Sequence, residues 1–363
     1  MASIRLEGIC KRYGAIAAVT DLSLTCADGE LLALLGPSGC GKTSTLKMIA
    51  GIEDVSAGEI YFGDRPVTAL DAAERNVAMV FEDYALYPHL TVAQNVAFPL
   101  EVRHRSRGDI RRAVDDVLAL LGLDGLRDVG VRQLSGGAQQ RVAIGRALVR
   151  DPTVILFDEP LSHLDGMHKA HLRAEIKRLQ KDSGVTGVLV THDQTEAMAM
   201  ADRVAVMNEG VLQQLAAPRA LYDHPANLFV AQFIGEPPMN VLRGRLVDIA
   251  GVPVVEGDGW RAALPSRLAA AARDVVIGVR PEDVVVRAGG DGATDGALAG
   301  RVFFCEPRGD VDVVSVSRES GAQGQIITAE TPAGVGWAED DQVTLSFRGP
   351  LHVFDAASGR NLG

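Results

Sequence analysis

Gly36, Pro37, Ser38, Gly39, Cys40, Gly41, Lys42 and Thr43 form a complete GxxxxGK[ST] run, placed directly after the apolar stretch Leu31 to Leu35. Such a run is built to hold phosphate. Glycines let the backbone curl so that successive N–H groups, and the start of a helix running to about Ala50, aim at the phosphates of a nucleotide. Lys42 adds a mobile positive charge, the Thr43 hydroxyl is a ligand for Mg2+, and Ser44 follows in the same first turn. The preceding apolar run reads as a buried strand, which gives the motif the strand, loop and helix it requires.

A second constellation lies further along the chain. Leu134, Ser135, Gly136, Gly137 and Ala138 stand at the head of a helical segment, Val142 to Arg150, and Thr153 to Phe157 is an apolar run ending in Asp158 and Glu159. A buried strand ending there sets Asp158 near a metal held by the phosphate loop and leaves Glu159 to polarise an attacking water. Ser162 to Asp165 follows, and then another apolar run, Val188 to Thr191, ends in His192. Ser135, Gly136 and Gly137 open a helix, so their N–H groups and the helix dipole form a second anion site. Two anion sites in one chain suggest a single phosphate clamped from two sides, with His192 placed to report its presence.

In this order the residues resemble the ATP-binding cassette (ABC) ATPases, from an aromatic Tyr13 ahead of the first core strand to the His192 switch, through about residue 235. The resemblance implies an α/β P-loop ATPase. It places Tyr13 against adenine, the loop from Gly36 to Ser44 around the phosphates of ATP, Thr43, Glu82 and Asp158 near Mg2+, and Glu159 and His192 in catalysis. In that family two cassettes close head to tail, so that Ser135, Gly136 and Gly137 of one complete the site of the other. Two positions depart from the pattern. Glu82 stands where the segment Met79 to His89 should carry glutamine, and Ala138 stands where the signature usually carries glutamine. Glu82 keeps an oxygen for the metal but adds negative charge beside a triphosphate. A second, different cassette whose motifs compensate is one expectation these departures raise.

Residues from about 84 to 150 mix helical patterns, as in Ile110 to Leu121, and by resemblance form the helical subdomain that receives a permease helix. Tyr84, Leu86 and Tyr87 read equally as contact residues or as core. Helices are expected over Met167 to Gln180 and Gln194 to Ala201, with a hairpin around Glu209 and Gly210. Pro237 and Pro238 then mark a break. Short Val-rich runs follow, at Val252 to Val255, Val275 to Arg280, Val284 to Arg287, Arg301 to Phe304, Val311 to Val316 and Val343 to Phe347. They predict a small all-β domain over 236–363 after an ATPase domain over 1–235. Ile277 to Asp283 and Leu351 to Gly359 resemble the oligonucleotide-fold-like, TOBE-type regulatory domain of carbohydrate-importer ATPases. Tyr84 to Val92, Thr191 to Met198 and Leu221 to Gly235 resemble the branch typified by the maltose importer. That resemblance implies import of a sugar, polyol or glycerol-type solute, with two membrane permeases, a solute-binding protein and a place at the cytoplasmic face of the bacterial inner membrane.

Composition sets outer limits. The chain has 363 residues and a formal charge of −11, and its densest basic stretch, Arg103 to Arg112, is short and interrupted, which argues against a nucleic-acid partner. Its four cysteines show neither CxxC nor zinc spacing. No secretory signal or apolar run of about twenty residues is seen, so the chain is expected to reach a membrane only through other subunits. Two other readings are an importer ATPase for polyamine, iron or another small ion, and a soluble cassette ATPase of repair or translation. The latter expects coiled-coil insertions, zinc cysteines or tandem cassettes, which the sequence lacks. Cys40, inside the phosphate loop, generates an expectation of its own: alkylation should block turnover and bound ATP should protect. Unchanged turnover after confirmed modification of Cys40 would end that idea.

Overall fold

The computed structural model describes residues 2–162, 166–264, 272–289, 297–318 and 325–363, with backbone alone at 166–168. The chain divides into two compact units, Met1–Arg219 and Ala220–Gly363. The first runs β1 (Ile4–Tyr13), β2 (Ile16–Cys26), β3 (Leu31–Leu35), α1 (Lys42–Ala50), β4 (Ala57–Phe62), β5 (Arg65–Pro66) and β6 (Val77–Val80). Three helices follow, α2 (Val92–Val102), α3 (Arg107–Leu120) and α4 (Gly136–Leu148). The chain then returns through β7 (Val154–Asp158), α5 (Gly166–Ser183), β8 (Thr186–Thr191), α6 (Gln194–Met200), β9 (Arg203–Asn208) and β10 (Val211–Ala216).

The six-stranded core sheet has the order β10-β9-β3-β8-β7-β6. All its pairs are parallel except the β9–β10 hairpin. Every residue of β3 and β8 is buried, as are the first four of β7. A parallel sheet covered on both faces selects unbroken apolar runs, which is why these strands stand out in the sequence. The antiparallel sheet β2-β1-β4-β5 does not stand out, because three register shifts between β1 and β2 interrupt its alternation. It matters to the site because β1 ends at Tyr13.

Each of α2, α3 and α4 starts at a hydroxyl cap: Thr91, in a capping box with Gln94, then Ser106, then Ser135. These side chains accept N–H bonds the first turn would otherwise leave open, and they fix where each helix begins. The expected helices after Asp158 appear as α5 and α6, and the hairpin turns at Glu209 and Gly210, both at positive φ.

The second unit opens with the remainder of α7 (Pro218–Asp223) and with α8 (Leu228–Phe233). Contacts group residues 220–235 with this unit for a physical reason. Arg280, 3% exposed, donates to the carbonyls of Tyr222, Ala231 and Ile234. The strands are β11 (Asn240–Ile249), β12 (Val252–Gly257), β13 (Trp260–Ala263), β14 (Arg273–Val279), β15 (Val284–Ala288), β16 (Leu298–Pro307), β17 (Val311–Arg318), β18 (Gln325–Pro332), β19 (Gln342–Phe347) and β20 (His352–Asp355). They form two antiparallel five-stranded sheets, β13-β12-β11-β14-β20 and β15-β19-β16-β17-β18. Leu242, Ile277, Leu298, Val316, Leu345 and Val353 belong to one core shared by both sheets. All six expected Val-rich runs are strands, while β11, β13, β18 and β20 are additional.

Phe157, 1% exposed, is the largest wholly buried side chain of the strand that delivers Asp158 and Glu159. Phe157→Ala is expected to destabilise the first unit by about 3–5 kcal/mol through lost burial and a residual cavity. A calorimetric transition for that unit unchanged from wild type would contradict this packing.

Candidate functional site

The phosphate loop joins β3 to α1, and its backbone permits nothing larger than glycine at two points. A Cβ at Gly36 would lie 2.2 Å from the Met207 carbonyl oxygen, and one at Gly41, where φ is 99°, would lie 2.4 Å from the Ala18 carbonyl oxygen. Gly41 is also the N-cap of α1, and no side chain caps that helix. An uncapped helix start with exposed Ser38, Gly39 and Thr43 beside it is suited to an anion. Lys42 folds back over the loop, its Nζ donating to the carbonyls of Gly36 at 2.7 Å and Pro37 at 2.9 Å. Beside it, the Tyr13 hydroxyl lies 3.5 Å from Ser44 Oγ, and the ring is 44% exposed.

Cys40 departs from the reactive thiol its position suggests. It is 3% exposed, and burial pushes its pKa up despite the nearby Lys42 ammonium. Its sulfur occupies the space where a side chain at Gly36 would sit. Alkylation of the folded chain must therefore be slow, because the protonated, buried thiol is a poor nucleophile.

Parallel register assembles the acids. Asp158 pairs with Val190 across β7 and β8, so Glu159 and His192 emerge side by side from adjacent strand ends. His192 Nδ1 lies 2.8 Å from Glu159 Oε2. Glu159 is held at φ 45° while its N–H donates to the Val190 carbonyl at 2.9 Å. β6 pairs with β7 through Val80 and Phe157, which brings Glu82 to the same edge. There Glu82 Oε1 accepts from the Ser162 hydroxyl at 2.8 Å. Burial, then the Glu159 carboxylate, and then Glu82 raise the pKa of Asp158, while Lys47 opposes them.

Among the described residues, no group of three or more His, Cys, Asp or Glu side chains is arranged to hold a metal. Mg2+ ordinarily rests on one or two carboxylates plus substrate phosphates rather than in a protein cage. The Thr43 hydroxyl and the Glu82 and Asp158 carboxylates fit that donor set.

The signature stands on a different element. Ser135 caps α4 by accepting from the Ala138 N–H at 3.4 Å, and α4 packs chiefly on α2, α3 and β6. Ala138, 4% exposed, is buried. Of the segment Ser162 to Asp165, residues 163–165 lie outside the described residues.

Between the core sheet and the helices lies a cleft of 610 Å³, lined by Ile52, Phe81, Tyr87, Phe98, Val102 and Arg146 among others. Tyr87 packs on Phe98 with ring centroids 4.4 Å apart, whereas Tyr84 is buried and belongs to the core. Sequence reasoning missed the side chains that hold this loop. Arg146 donates to the carbonyls of Tyr84 and Ala85, both at positive φ, and the buried Asn95 amide donates to the Tyr87 carbonyl. Their partners are too distant or too generic in type to be read from local pattern.

A parallel sheet with a glycine loop at one strand end, and an acid–histidine pair at the neighbouring ends, defines a P-loop nucleoside triphosphatase. Residues 19–162 match the ABC transporter family, 235–284 the MalK OB fold domain and 277–354 the TOBE domain. The chain is 50% identical over 296 residues to a trehalose/maltose import ATP-binding protein of Thermococcus litoralis, covering 78% of this chain and 79% of that one. It is 44% identical over 371 residues to a xylose/arabinose import ATP-binding protein of Haloferax volcanii, covering 99% and 95%. It is 45% identical over 364 residues to an sn-glycerol-3-phosphate import ATP-binding protein of Chromohalobacter salexigens, covering 99% and 96%. The solved structure of cbiO1 from Clostridium perfringens, part of an ABC transporter complex, matches with a TM-score of 0.57 at 28% identity, over 61% of this chain and 90% of that one. The chain belongs to the ABC transporter ATPases and binds ATP. Among the described residues, no helix is long and apolar enough to cross a membrane.

Glu82→Gln removes one of the negative neighbours that hold Asp158 protonated to higher pH. Asp158 in the metal-free chain should then ionise at lower pH, which a pH titration of the apo protein should show as a shift toward lower pH. An unmoved titration would remove Glu82 from the field at Asp158.

Proposed function

We propose that this chain hydrolyses ATP to drive import of a carbohydrate-like solute, a sugar, polyol or glycerol-type compound, through a membrane path supplied by two permease subunits. The observation that carries the reading is the Glu159–His192 pair, 2.8 Å apart at the sheet edge that also bears the phosphate loop. Relatives that span nearly the whole chain are named for import of xylose/arabinose and of sn-glycerol-3-phosphate, which supports the solute class.

In this reading the Tyr13 ring stacks on adenine and the N–H groups from Gly36 to Ser44 cradle the phosphates. Lys42 exchanges its loop carbonyls for phosphate oxygens. Thr43, Glu82 and Asp158 hold Mg2+, which when bound neutralises charge on the β- and γ-phosphate oxygens. Glu159 orients and polarises the attacking water, and His192 contacts the γ-phosphate while its Nδ1 stays against Glu159. Ser135, Gly136 and Gly137 of a second cassette, the same chain or a different one, close over the phosphate from the opposite side. The apolar cleft between sheet and helices takes a cytoplasmic helix of the permease, so that closure of the cassettes moves the membrane subunits. The chain then sits peripherally at the cytoplasmic face of the membrane, and solute choice belongs to the permeases and a solute-binding protein.

Glu159→Gln is expected to retain ATP and accumulate a closed dimer while steady-state turnover falls at least ~10²-fold. Turnover like wild type in that variant removes Glu159 from its role. In vesicles carrying the assembled transporter, ATP-dependent uptake of a polyamine or metal ion, with none of a sugar or polyol, would overturn the solute class.

A further inference from the structure

His192 is flanked by two residues tied to one buried carboxylate. Glu196, in the first turn of α6, is 2% exposed. Its Oε2 accepts the Thr191 hydroxyl at 2.8 Å, and its Oε1 lies 3.2 Å from Lys169 Nζ. Thr191 Oγ1 accepts the Asp193 N–H at 3.0 Å, and Asp193 Oδ1 accepts the Glu196 N–H at 3.2 Å. Lys169 comes from α5, and its ammonium also stands 3.5 Å from Asp193 Oδ2.

The energetics single out Lys169. A carboxylate as deeply buried as Glu196 is stable only when paired and hydrogen-bonded, and removing its partner leaves an uncompensated charge. Burial lowers the Lys169 pKa, but the Glu196 and Asp193 carboxylates outweigh it and hold the ammonium above its ordinary value. The His192 side chain is itself 58% exposed. Packing therefore does little to fix its ring, and the backbone on either side must do so.

We infer that Lys169 is a positioning residue for the histidine switch: by neutralising Glu196 it fixes Thr191 and Asp193, and so keeps the His192 ring directed at Glu159. The inference rests on the role proposed above for His192. It also ties the switch to α5, the helix that follows the acidic end of β7 and the Ser162 segment. Lys169 touches no reacting atom and acts through the carboxylates of Glu196 and Asp193.

The test is steady-state ATP hydrolysis by the full chain carrying Lys169→Met, Lys169→Arg, Thr191→Val, His192→Ala, or Lys169→Met with His192→Ala. Lys169→Met and Thr191→Val should each lower kcat by roughly tenfold, with KM for ATP within about twofold of wild type. Lys169→Arg, which keeps the charge, should stay within about threefold of wild-type kcat. In the His192→Ala background, Lys169→Met should cause no further loss, because both changes remove the same interaction. If His192→Ala leaves kcat intact, the role of His192 falls and the inference falls with it. If His192→Ala lowers kcat but Lys169→Met does not, or costs the same factor in both backgrounds, His192 keeps its role and Lys169 loses this one. Thermal melts run alongside guard against misfolding. A loss that follows the folded fraction and is not rescued by arginine assigns Lys169 to stability alone and overturns the inference.

Discussion

The parallel register of β7 on β8 is the constraint from which the geometry of the site descends. With Asp158 opposite Val190, the two strands finish on one sheet edge, and Glu159 and His192, 33 residues apart in sequence, meet in space. A slip of one residue would turn every side chain of β7 to the opposite face. Burial prevents the slip, since β8 is wholly buried and β7 is buried up to Phe157. Beyond the strand, the Glu159 N–H bonds to the Val190 carbonyl and holds a non-glycine residue at φ 45°. Such a conformation persists only where the surroundings over-determine it, so the orientation of the acid is a property of the sheet rather than of a mobile loop.

How much of this could be read in the sequence follows from the same physics. Strands buried on both faces leave unbroken apolar runs, so β3, β7 and β8 and the residues at their ends were all legible. The hydroxyl caps at Thr91, Ser106 and Ser135 leave a local signal as well. The bulged sheet of β1, β2 and β4 leaves none, because register shifts scramble its alternation. Nor does any local pattern reveal that Arg146 reaches the carbonyl of Ala85, 61 positions away, or that Lys169 reaches Glu196. Cys40 shows the limit most clearly. Its place in the phosphate loop suggested accessibility, yet the missing Cβ at Gly36 opens a hole that the sulfur fills.

Glu82 illustrates how a one-atom departure is expressed. Its Oε1 accepts the Ser162 hydroxyl, a bond that the carbonyl oxygen of a glutamine could accept equally well. The contact therefore does not distinguish the two residues, and the difference lies in charge. A carboxylate at this position adds to the burial and to the Glu159 charge that already disfavour ionised Asp158. In a partly desolvated site the field of one extra charge is weakly screened, so Glu82 disfavours ionised Asp158 more than a neutral glutamine would.

The loop that carries Glu82 is also the wall of the apolar cleft. Phe81 and Tyr87 line that cleft on either side of Tyr84 and Ala85, whose carbonyls are both held by Arg146. Arg146 lies in the last turns of α4, and the same helix begins at Ser135. A displacement of the loop must therefore break two charged hydrogen bonds or carry α4 with it. Burial favours the second course, because desolvation makes a guanidinium costly to leave without acceptors. One helix thus runs from the signature at Ser135 to the loop that walls the cleft, which it holds through Arg146.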